Sequence, residues 1–260
     1  MKTVILCGGR GIRLASETEY RPKPLVEIGS KPILWHIMKI YESQGFKEFV
    51  LSLGYKGHMI KDYFLNLKDR SHDIYLDLKS GSHVPLNDNS DLEGKIEFID
   101  TGQDAQTGAR ISKIRKQINE DHFFMTYGDG VANIDLKKLY EHHIKMEKER
   151  GIIGTVTAVH PYYKFGILNV EDGLVTEFNE KPKHSSYVNG GFMVFNKKFF
   201  DYLSDDDKCT LEQEPLKNLS RESKLGYYPH EGYWQCMDSQ KELELLNQEF
   251  VRGAPWILKK

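Results

Sequence analysis

The chain has 260 residues, of which 39% are hydrophobic and 28% charged, a balance typical of a soluble globular protein with a sizeable core. Its formal net charge is −2, from 36 basic and 38 acidic residues, so no global positive field exists to hold DNA or an anionic membrane. Cys7, Cys209 and Cys236 are too few and too scattered for a disulfide framework or a four-ligand zinc site. We therefore expect reduced thiols in a cytoplasmic protein, with no nucleic-acid or membrane partner.

The first half of the chain alternates between apolar strands and helices. The apolar run after Lys2 stops after about five residues, too short for the h-region of a signal peptide, so we predict a strand there. Strands are predicted at 3–7, 49–53, 95–100 and 123–127. Helices are predicted from a cap at Ser30 to Gly45, with Pro32 near the first turn, and at 57–67, 109–118 and 135–150. This alternation is typical of a parallel, doubly wound sheet with helices on both faces.

The second half of the chain changes character. A strand at 153–159 is followed by a predicted β-hairpin, in which 166–170 and 174–178 flank a turn at 171–173. A further strand is predicted at 188–195, helices near 199–203, 214–220 and 239–251, and a polar excursion at 70–94. No low-complexity linker divides the chain. We expect an α/β fold in one domain over 1–260, with a mixed, mostly parallel central sheet and a smaller α+β C-terminal portion.

A glycine-rich run, Gly8-Gly9-Arg10-Gly11-Ile12-Arg13-Leu14, follows the first predicted strand. Open α/β sheets bind ligands at the carboxyl ends of their strands, and glycines let backbone N–H groups approach an anion closely. The run is not a dinucleotide fingerprint, because Leu14 stands where a third glycine is needed. It is not a P-loop, because no Gly-Lys-Ser/Thr opens a helix after it. The glycine run alone is compatible with two interpretations. It is either a tight turn with solvated arginines or a phosphate loop of another kind.

A lysine between two prolines follows in Arg21-Pro22-Lys23-Pro24. Each proline fixes its own φ and pushes the preceding residue towards extended geometry, so the backbone that carries Lys23 is stiff. A preoriented lysine loses less entropy when it meets a phosphate. The position of Lys23 between the glycine run and the next helix favours phosphate binding over a surface turn.

Two aspartates are candidates for holding a metal ion. Asp129 lies between two glycines at the end of a mostly apolar strand, where a carboxylate is costly to desolvate unless a cation meets it. Mg²⁺, held by one or two carboxylates and substrate phosphates, would meet that need. Asp238 precedes the last predicted helix, so helix capping and metal binding both stay open for it.

These motifs resemble those of the sugar-1-phosphate nucleotidyltransferases, and most of all the glucose-1-phosphate cytidylyltransferase branch. The resemblance covers nearly the whole chain, through motifs at 8–14, 21–29, 31–38, 54–57, 100–102, 107–110, 126–131 and 232–235. It implies a Rossmann-like nucleotidyltransferase fold, with a nucleotide-binding half over about 1–135 and a sugar-binding half over about 136–260. It implies Mg²⁺ as cofactor, CTP and a sugar 1-phosphate, first of all α-D-glucose 1-phosphate, as substrates, and CDP-sugar and pyrophosphate as products.

The resemblance also assigns site residues. Nucleotide contacts are expected from Leu6, Cys7, Gly8, Gly9, Arg10, Gly11, Ile12, Arg13, Lys23, Thr107, Arg110 and Gly128. Sugar-phosphate contacts are expected from Gly166, Glu180, Lys181 and Asn189. Asp129 and Asp238 are expected to hold the metal, and Arg13, Lys23 and Asp129 to act in catalysis. The guanidinium of Arg110 is suited to bidentate contacts with the nucleotide.

The chain departs from the family pattern at Arg10 and Ile12, where Leu and Thr are usual. Two alternatives therefore stay open: the same fold acting on another nucleoside triphosphate or phosphorylated acceptor, and a non-catalytic nucleotide-binding regulatory protein. The joint presence of Lys23, Asp129, Asp238 and Lys181 argues against the second, because binding alone does not require all four.

Charge and exposure lead to three further expectations. Residues 1–31 hold six Lys and Arg against three Glu, a balance of +3, which predicts a cationic lip facing isolated carboxylates. The run Glu141-His142-His143 is predicted as a solvated helix face. The resemblance implies a homo-oligomer, for which 70–94 and Trp256 are candidate contacts between subunits.

Overall fold

The structure, a computed structural model, describes residues 1–87, 92–163 and 165–258. Its strands are β1 (Thr3–Cys7), β2 (Glu27–Ile28), β3 (Lys31–Pro32), β4 (Glu48–Leu53), β5 (Ile74–Leu76), β6 (His83–Pro85), β7 (Lys95–Asp100), β8 (His122–Tyr127), β9 (Gly130–Ala132), β10 (Gly154–Val159), β11 (Ile167–Glu171), β12 (Leu174–Asn179), β13 (Val188–Asn189), β14 (Met193–Asn196), β15 (Leu225–Pro229) and β16 (Trp234–Cys236). Its α-helices are α1 (Ala15–Thr18), α2 (Ile33–Glu42), α3 (Gly57–Leu65), α4 (Leu67–Ser71), α5 (Thr107–Lys113), α6 (Leu136–Arg150), α7 (Glu214–Arg221) and α8 (Gln240–Val251). Short 3-10 helices lie at Ile12–Leu14, Lys23–Leu25, Arg115–Gln117 and Lys197–Tyr202.

Within the described residues, the central sheet has eight strands in the order β7–β4–β1–β8–β14–β10–β13, with β15 also paired to β10. Strands β7, β4, β1 and β8 are parallel, whereas β14 is antiparallel to β8 and β10 is antiparallel to β14. From β1 the chain proceeds to β4 and β7, and then returns to β8 on the other side of β1. The strand order therefore reverses between β1 and β8, and ligands of open α/β sheets bind in the crevice beyond such a point.

Each face of the sheet is covered by its own apolar core. Along β1, Ile5 and Cys7 pack into the core that contains α2, and Val4 and Leu6 pack into the core that contains α5. Successive side chains of a strand point to opposite faces, so a strand buried on both sides is apolar throughout. The predicted α/β fold, with a mixed, mostly parallel sheet and helices on both faces, is confirmed.

The helix cap predicted at Ser30 and the strand predicted at 188–195 are both wrong in detail. Ser30 does not cap α2, which begins after Pro32 with no side-chain cap, because Gly29 and Ser30 form the turn between β2 and β3. The strand predicted at 188–195 is broken into β13 and β14, because Gly191 and Phe192 have φ values of 75° and 41°. This break frees the end of β13 to face the crevice.

Among the described residues, seven short or edge strands were not predicted from the sequence: β2, β3, β5, β6, β9, β15 and β16. β9 and β16 form an antiparallel pair in which Val131 is opposite Gln235, and β15 runs parallel to β10. The excursion predicted at 70–94 contains the hairpin β5–β6, and its residues 88–91 lie outside the described part of the chain.

Two predictions of exposure are also wrong. His143 is fully buried, because it lies on the face of α6 that packs against the sheet and its ring contacts Thr155 in β10. Trp256 is fully buried as well and packs edge-on against His36, 5.6 Å between ring centroids, so it is part of this chain's own core. No helix in the described ranges has the length and apolar character needed to cross a bilayer.

Candidate active site

The glycine loop after β1 borders a cavity of about 550 Å³ at the point where the strand order reverses. Gly11 has a φ of 64°, in the left-handed region that glycine adopts freely, and its carbonyl accepts hydrogen bonds from Leu14 N–H and the Thr18 hydroxyl. A Cβ at Gly8 would lie 2.2 Å from Cζ of Arg110. At Gly9, by contrast, no described atom lies within 4 Å of such a Cβ. The missing side chain of Gly8 thus leaves space for the guanidinium of Arg110, and that of Gly9 leaves space for a ligand.

The lining of this cavity, which we call the first cavity, brings the predicted nucleotide contacts together. All of them border it: Leu6, Cys7, Gly8, Gly9, Arg10, Gly11, Ile12, Arg13, Lys23, Thr107, Arg110 and Gly128. Asp129 borders it as well. Six further lining residues were not assigned from the sequence: Pro24, Gln103, Asp104, Ala105, Gln106 and Tyr127. Residues 103–106 connect two of the resemblance motifs, so proximity to those motifs is the signal that would have found them.

Lys23 connects two carboxylates at the end of the first cavity. Its Nζ lies 2.7 Å from Oδ2 of Asp129 and 2.7 Å from Oδ1 of Asp238. Its backbone enters a 3-10 helix directly after Pro22, whose φ is −67°, so the stiff setting predicted for this lysine is present. Burial alone would lower the pKa of Lys23, but the charges and hydrogen bonds of the two carboxylates outweigh it and raise that pKa. Lys23 is therefore a protonated ammonium at neutral pH.

The pairing of β9 with β16 explains how Asp238 reaches Asp129. At the end of this pair the N–H of Met237 donates to the backbone oxygen of Asp129, 2.8 Å away. Ser239 and not Asp238 caps α8, since the Ser239 hydroxyl accepts from the N–H of Glu242. The carboxylate of Asp238 instead faces Lys23 and Nη2 of Arg13, the latter at 3.0 Å. The capping alternative is thus wrong for Asp238.

The acidity of Asp238 follows from these contacts. Burial would raise the pKa of its carboxyl, but the hydrogen bond and charge of Lys23, then Arg13 and the Cys236 thiol, outweigh burial and lower it. Asp238 is therefore an anion at neutral pH, although it is half-buried.

Arg110 holds the walls of the first cavity from behind. Its Nη1 donates to Leu53 O at 3.0 Å, Thr101 Oγ1 at 2.7 Å and Gly102 O at 2.8 Å. Its Nη2 donates to Gly8 O at 3.0 Å, and burial lowers its pKa. Both terminal nitrogens of Arg110 are thus engaged with protein oxygens. In this structure the guanidinium does not offer them as a free pair for the bidentate nucleotide contact that was predicted. Arg110 fixes the glycine loop relative to the ends of β4 and β7.

A second cavity, of about 250 Å³, adjoins the first. Both are lined by Arg13, Tyr127 and Asp129, and the second is also lined by Asn189 and Asp238. Of the four predicted sugar-phosphate contacts, Asn189 is therefore the one that the structure brings to these cavities.

A chain of hydrogen bonds connects the two cavities. Nδ2 of Asn189 donates to the Tyr127 hydroxyl at 3.2 Å, which donates to Oε1 of Glu212 at 2.6 Å. Oε2 of Glu212 accepts from the Thr107 hydroxyl at 2.8 Å. Glu212 was not predicted from the sequence, because it lies in an irregular turn with no motif around it.

Comparison with known proteins places the chain in a family. The model of the nucleotidyl transferase family matches residues 2–238. The chain belongs to the nucleotidyl transferase family. A Bacillus subtilis protein named "Probable glucose-1-phosphate cytidylyltransferase" is 44% identical over 253 residues, 97% of each chain. The Salmonella typhi "Glucose-1-phosphate cytidylyltransferase" is 40% identical over 259 residues, 98% of each chain.

A solved structure agrees with the fold of this nucleotidyl transferase. HddC from Yersinia pseudotuberculosis, in complex with GMP-PN, superposes with a TM-score of 0.66 at 23% identity. The match covers 96% of this chain and 99% of that one. At this level of identity the likeness concerns the fold.

The remaining predicted sugar-phosphate contacts of this nucleotidyl transferase lie apart from both cavities. Nζ of Lys181 pairs with Oε1 of Glu180 at 2.6 Å, and a Cβ at Gly166 would lie 3.1 Å from Oε2 of Glu180. These three residues are therefore close to one another at the base of the exposed hairpin β11–β12. None of the three is among the described lining residues of either cavity. Their contact with a sugar phosphate stays a prediction.

Three basic residues at the cavities of this nucleotidyl transferase, Arg10, Arg13 and Lys23, are paired with acids. Nη2 of Arg10 lies 2.7 Å from Oδ1 of Asp104, and Arg13 and Lys23 share Asp238. The prediction of a cationic lip facing isolated carboxylates is thus wrong in its second part, because the carboxylates already meet those cations. A bound triphosphate would have to exchange these partners for its own oxygens.

Proposed function

We propose that the chain is a glucose-1-phosphate cytidylyltransferase, which condenses CTP with α-D-glucose 1-phosphate to CDP-glucose and pyrophosphate. Two relatives of that name, at 44% and 40% identity over nearly the full length, support the substrate pair. One observation carries the proposal: two adjoining cavities share Arg13, Tyr127 and Asp129, and Lys23 lies against both carboxylates at their junction. Such a junction is where two phosphorylated substrates can meet.

The first cavity suits the nucleotide. Its volume of about 550 Å³ lies in the range of small-molecule sites, roughly 300–1,000 Å³. The open space above Gly9 lets backbone N–H groups reach phosphate oxygens, and Arg13 adds a cation beside them. All described residues that line this cavity precede residue 135, which supports a nucleotide-binding half over about 1–135. The proposed sugar-binding half, over about 136–260, completes one domain over 1–260.

Asp129 and Asp238 fit a magnesium ion. One carboxylate oxygen of each already lies 2.7 Å from the same cationic atom, Nζ of Lys23, so the two oxygens converge on one point. Carboxylate oxygens, completed by phosphates and water, are the ligands that Mg²⁺ prefers. When bound, Mg²⁺ would neutralise charge on the triphosphate and polarise its phosphoryl oxygens.

The chain's own residues account for the rest of the reaction. An oxygen of glucose 1-phosphate, already ionised at neutral pH, attacks the α-phosphorus of CTP in line with the departing pyrophosphate, so no general base is required. Charge on the phosphoryl oxygens is the main barrier. Lys23 and Arg13 lower it as cations at the junction of the two cavities, and the glycine-loop N–H groups hold the triphosphate in position.

The sugar side is proposed in two parts. Asn189 faces sugar hydroxyls in the second cavity, supported by its hydrogen bond to Tyr127. Lys181 holds the phosphate of glucose 1-phosphate, with Glu180 and Gly166 beside it, after the segment that carries it approaches the cavity. The pairing of Lys181 with Glu180 keeps the ammonium close to a carboxylate until that contact forms.

We further propose that the enzyme is a cytoplasmic homo-oligomer. The hairpin β11–β12 exposes apolar side chains on both strands, and a second copy of the chain would cover them: Leu168, Val170, Leu174, Val175 and Phe178. Sedimentation velocity tests this directly, since a species of one chain mass at micromolar concentration would contradict it.

The proposed function is tested by crossing a panel of nucleoside triphosphates with a panel of sugar 1-phosphates and following pyrophosphate release, with Mg²⁺ and with EDTA. We expect the highest kcat/KM for CTP with glucose 1-phosphate, and no release in EDTA. Preference for another nucleotide or acceptor would support the same fold with different substrates. No release in any combination, together with measurable CTP binding, would support a non-catalytic regulatory protein.

A further inference from the structure

Three side chains with metal-binding chemistry meet at the end of β8 that is remote from the two cavities. They are His122, the first residue of β8, and His143 and Glu147, which are four residues apart on α6. One ligand atom from each lies within 4.8 Å of the other two. Tyr127, at the far end of β8, lines both cavities, and at about 3.3 Å per residue the strand separates it from His122 by about 17 Å.

His143 has a ring nitrogen that the described protein does not use. The residue is fully buried, and its Nδ1 lies 2.9 Å from the hydroxyl oxygen of Thr155. Its Nε2 is buried without a hydrogen-bond partner among the described residues. If Nδ1–H donates to Thr155, Nε2 keeps a free lone pair, as in metal-binding histidines whose other nitrogen donates to an oxygen.

Glu147 and His122 supply the other two ligand atoms. Oε1 of Glu147 accepts from Nδ2 of Asn196 at 2.6 Å, and Oε2 lies 2.8 Å from Nε2 of His122. Asn196 thus holds one oxygen of the carboxylate, and the other oxygen faces His122. The side chains of His122 and Glu147 are 17% and 30% exposed, so a hydrated ion can reach them from solvent.

We propose that His122, His143 and Glu147 bind one Zn²⁺ ion, independently of the active site. Two imidazole nitrogens and one carboxylate oxygen are a zinc ligand set, with a fourth position left for water. Mg²⁺ prefers all-oxygen sites, so the magnesium of the reaction does not compete for this one. The bound ion joins α6 to β8 and stabilises the strand whose other end carries the active site.

The test is a titration of metal-free protein with Zn²⁺, in the presence of excess Mg²⁺, by calorimetry and by thermal unfolding. We expect one bound Zn²⁺ per chain and a raised unfolding temperature. His122→Gln and Glu147→Gln, both at partly exposed positions, should each weaken binding by about tenfold or more. His142→Gln is the matched control on the same helix and should bind as the wild type does. No binding by the wild type, or equal binding by all four proteins, would overturn the proposal.

A second group of donors makes a spectroscopic control necessary. Atoms of Cys236, Asp238 and Glu242 also lie within 4.8 Å of one another, next to the active site. Co²⁺ in place of Zn²⁺ separates the two sites, because a thiolate ligand gives a near-ultraviolet charge-transfer band that imidazole and carboxylate do not. We expect Co²⁺ binding without that band and unchanged by Cys236→Ser. A thiolate band that Cys236→Ser removes, with binding unaffected by Glu147→Gln, would place the ion at the other group and overturn the proposal.

Discussion

The nucleotide side and the sugar side of this molecule differ in how far they are assembled. The first cavity lies at the ends of the largely buried strands β1 and β8, and Arg110 fixes its glycine loop with hydrogen bonds to Gly8, Thr101 and Gly102. The hairpin β11–β12, which adjoins the predicted sugar-phosphate contacts, is exposed along almost its whole length. Rigid elements keep the side chains of a site in position before substrate binds, whereas an exposed hairpin does not. Changes on the nucleotide side should therefore affect chemistry, and those on the sugar side mainly substrate capture.

The largest effect is expected from Lys23→Ala. Removing the ammonium that lies between the two carboxylates should lower kcat for pyrophosphate release by a factor of roughly 10²–10³, as loss of a preorganised hydrogen-bond donor to the transition state does. Lys23→Arg should recover part of the rate, because it retains the charge with a different geometry. Near-normal turnover by a folded Lys23→Ala protein would remove Lys23 from the mechanism.

A smaller effect is expected on metal binding. Asp129→Asn and Asp238→Asn should each weaken Mn²⁺ binding by about tenfold or more, measured by electron paramagnetic resonance without nucleotide. Lys23→Met should strengthen it, because the ammonium no longer competes for the same two oxygens. Unchanged Mn²⁺ affinity in Lys23→Met would show that the lysine and the metal do not compete for the same two carboxylate oxygens.

Two neighbouring glycines offer a matched pair within the nucleotide side. Gly8→Ala forces a methyl group against Arg110 and should destabilise the fold by about 1–3 kcal/mol in urea unfolding. Gly9→Ala meets no described atom, so it should leave stability within about 0.5 kcal/mol and weaken CTP binding instead. The reverse pattern would mean that the open space above Gly9 is not where the triphosphate lies.

The smallest effect is expected on the sugar side. Lys181→Met should raise KM for glucose 1-phosphate by up to about tenfold, a loss of about 1.4 kcal/mol, with CTP affinity unchanged. Lys183→Met is a matched control two residues away. If Lys181→Met lowered kcat as much as Lys23→Ala does, Lys181 would act in the chemical step and not only in substrate capture.

The sequence predicted this site best where its residues are close together along the chain. The glycine run and the proline-flanked Lys23 have local backbone constraints that a sequence displays directly. Asp238 meets Asp129 only through the pairing of two three-residue strands, β9 and β16, which carry too short a pattern to predict. The position of Asp238 in the site therefore depended on the family resemblance.

Side-chain partners were the least predictable feature. A bidentate nucleotide contact was predicted for Arg110, but its Nη1 donates to backbone oxygens at the ends of β4 and β7. His143 was expected to be exposed to solvent because its helix is rich in charged residues, whereas it lies on the face of α6 that contacts Thr155. Both outcomes depend on packing between elements distant in the sequence, which periodicity and composition do not encode.

Transfer of a cytidylyl group from CTP to glucose 1-phosphate at the junction of the two cavities can be followed directly by ³¹P nuclear magnetic resonance. The wild-type chain is mixed with CTP, glucose 1-phosphate and Mg²⁺, and Lys23→Ala is the control. We predict that the signals of CTP and the monophosphate decay together while those of pyrophosphate and a new diphosphate diester appear, and that Lys23→Ala shows neither on the same time scale. Decay of CTP to CDP and inorganic phosphate, with glucose 1-phosphate unchanged, would rule out cytidylyl transfer at this junction.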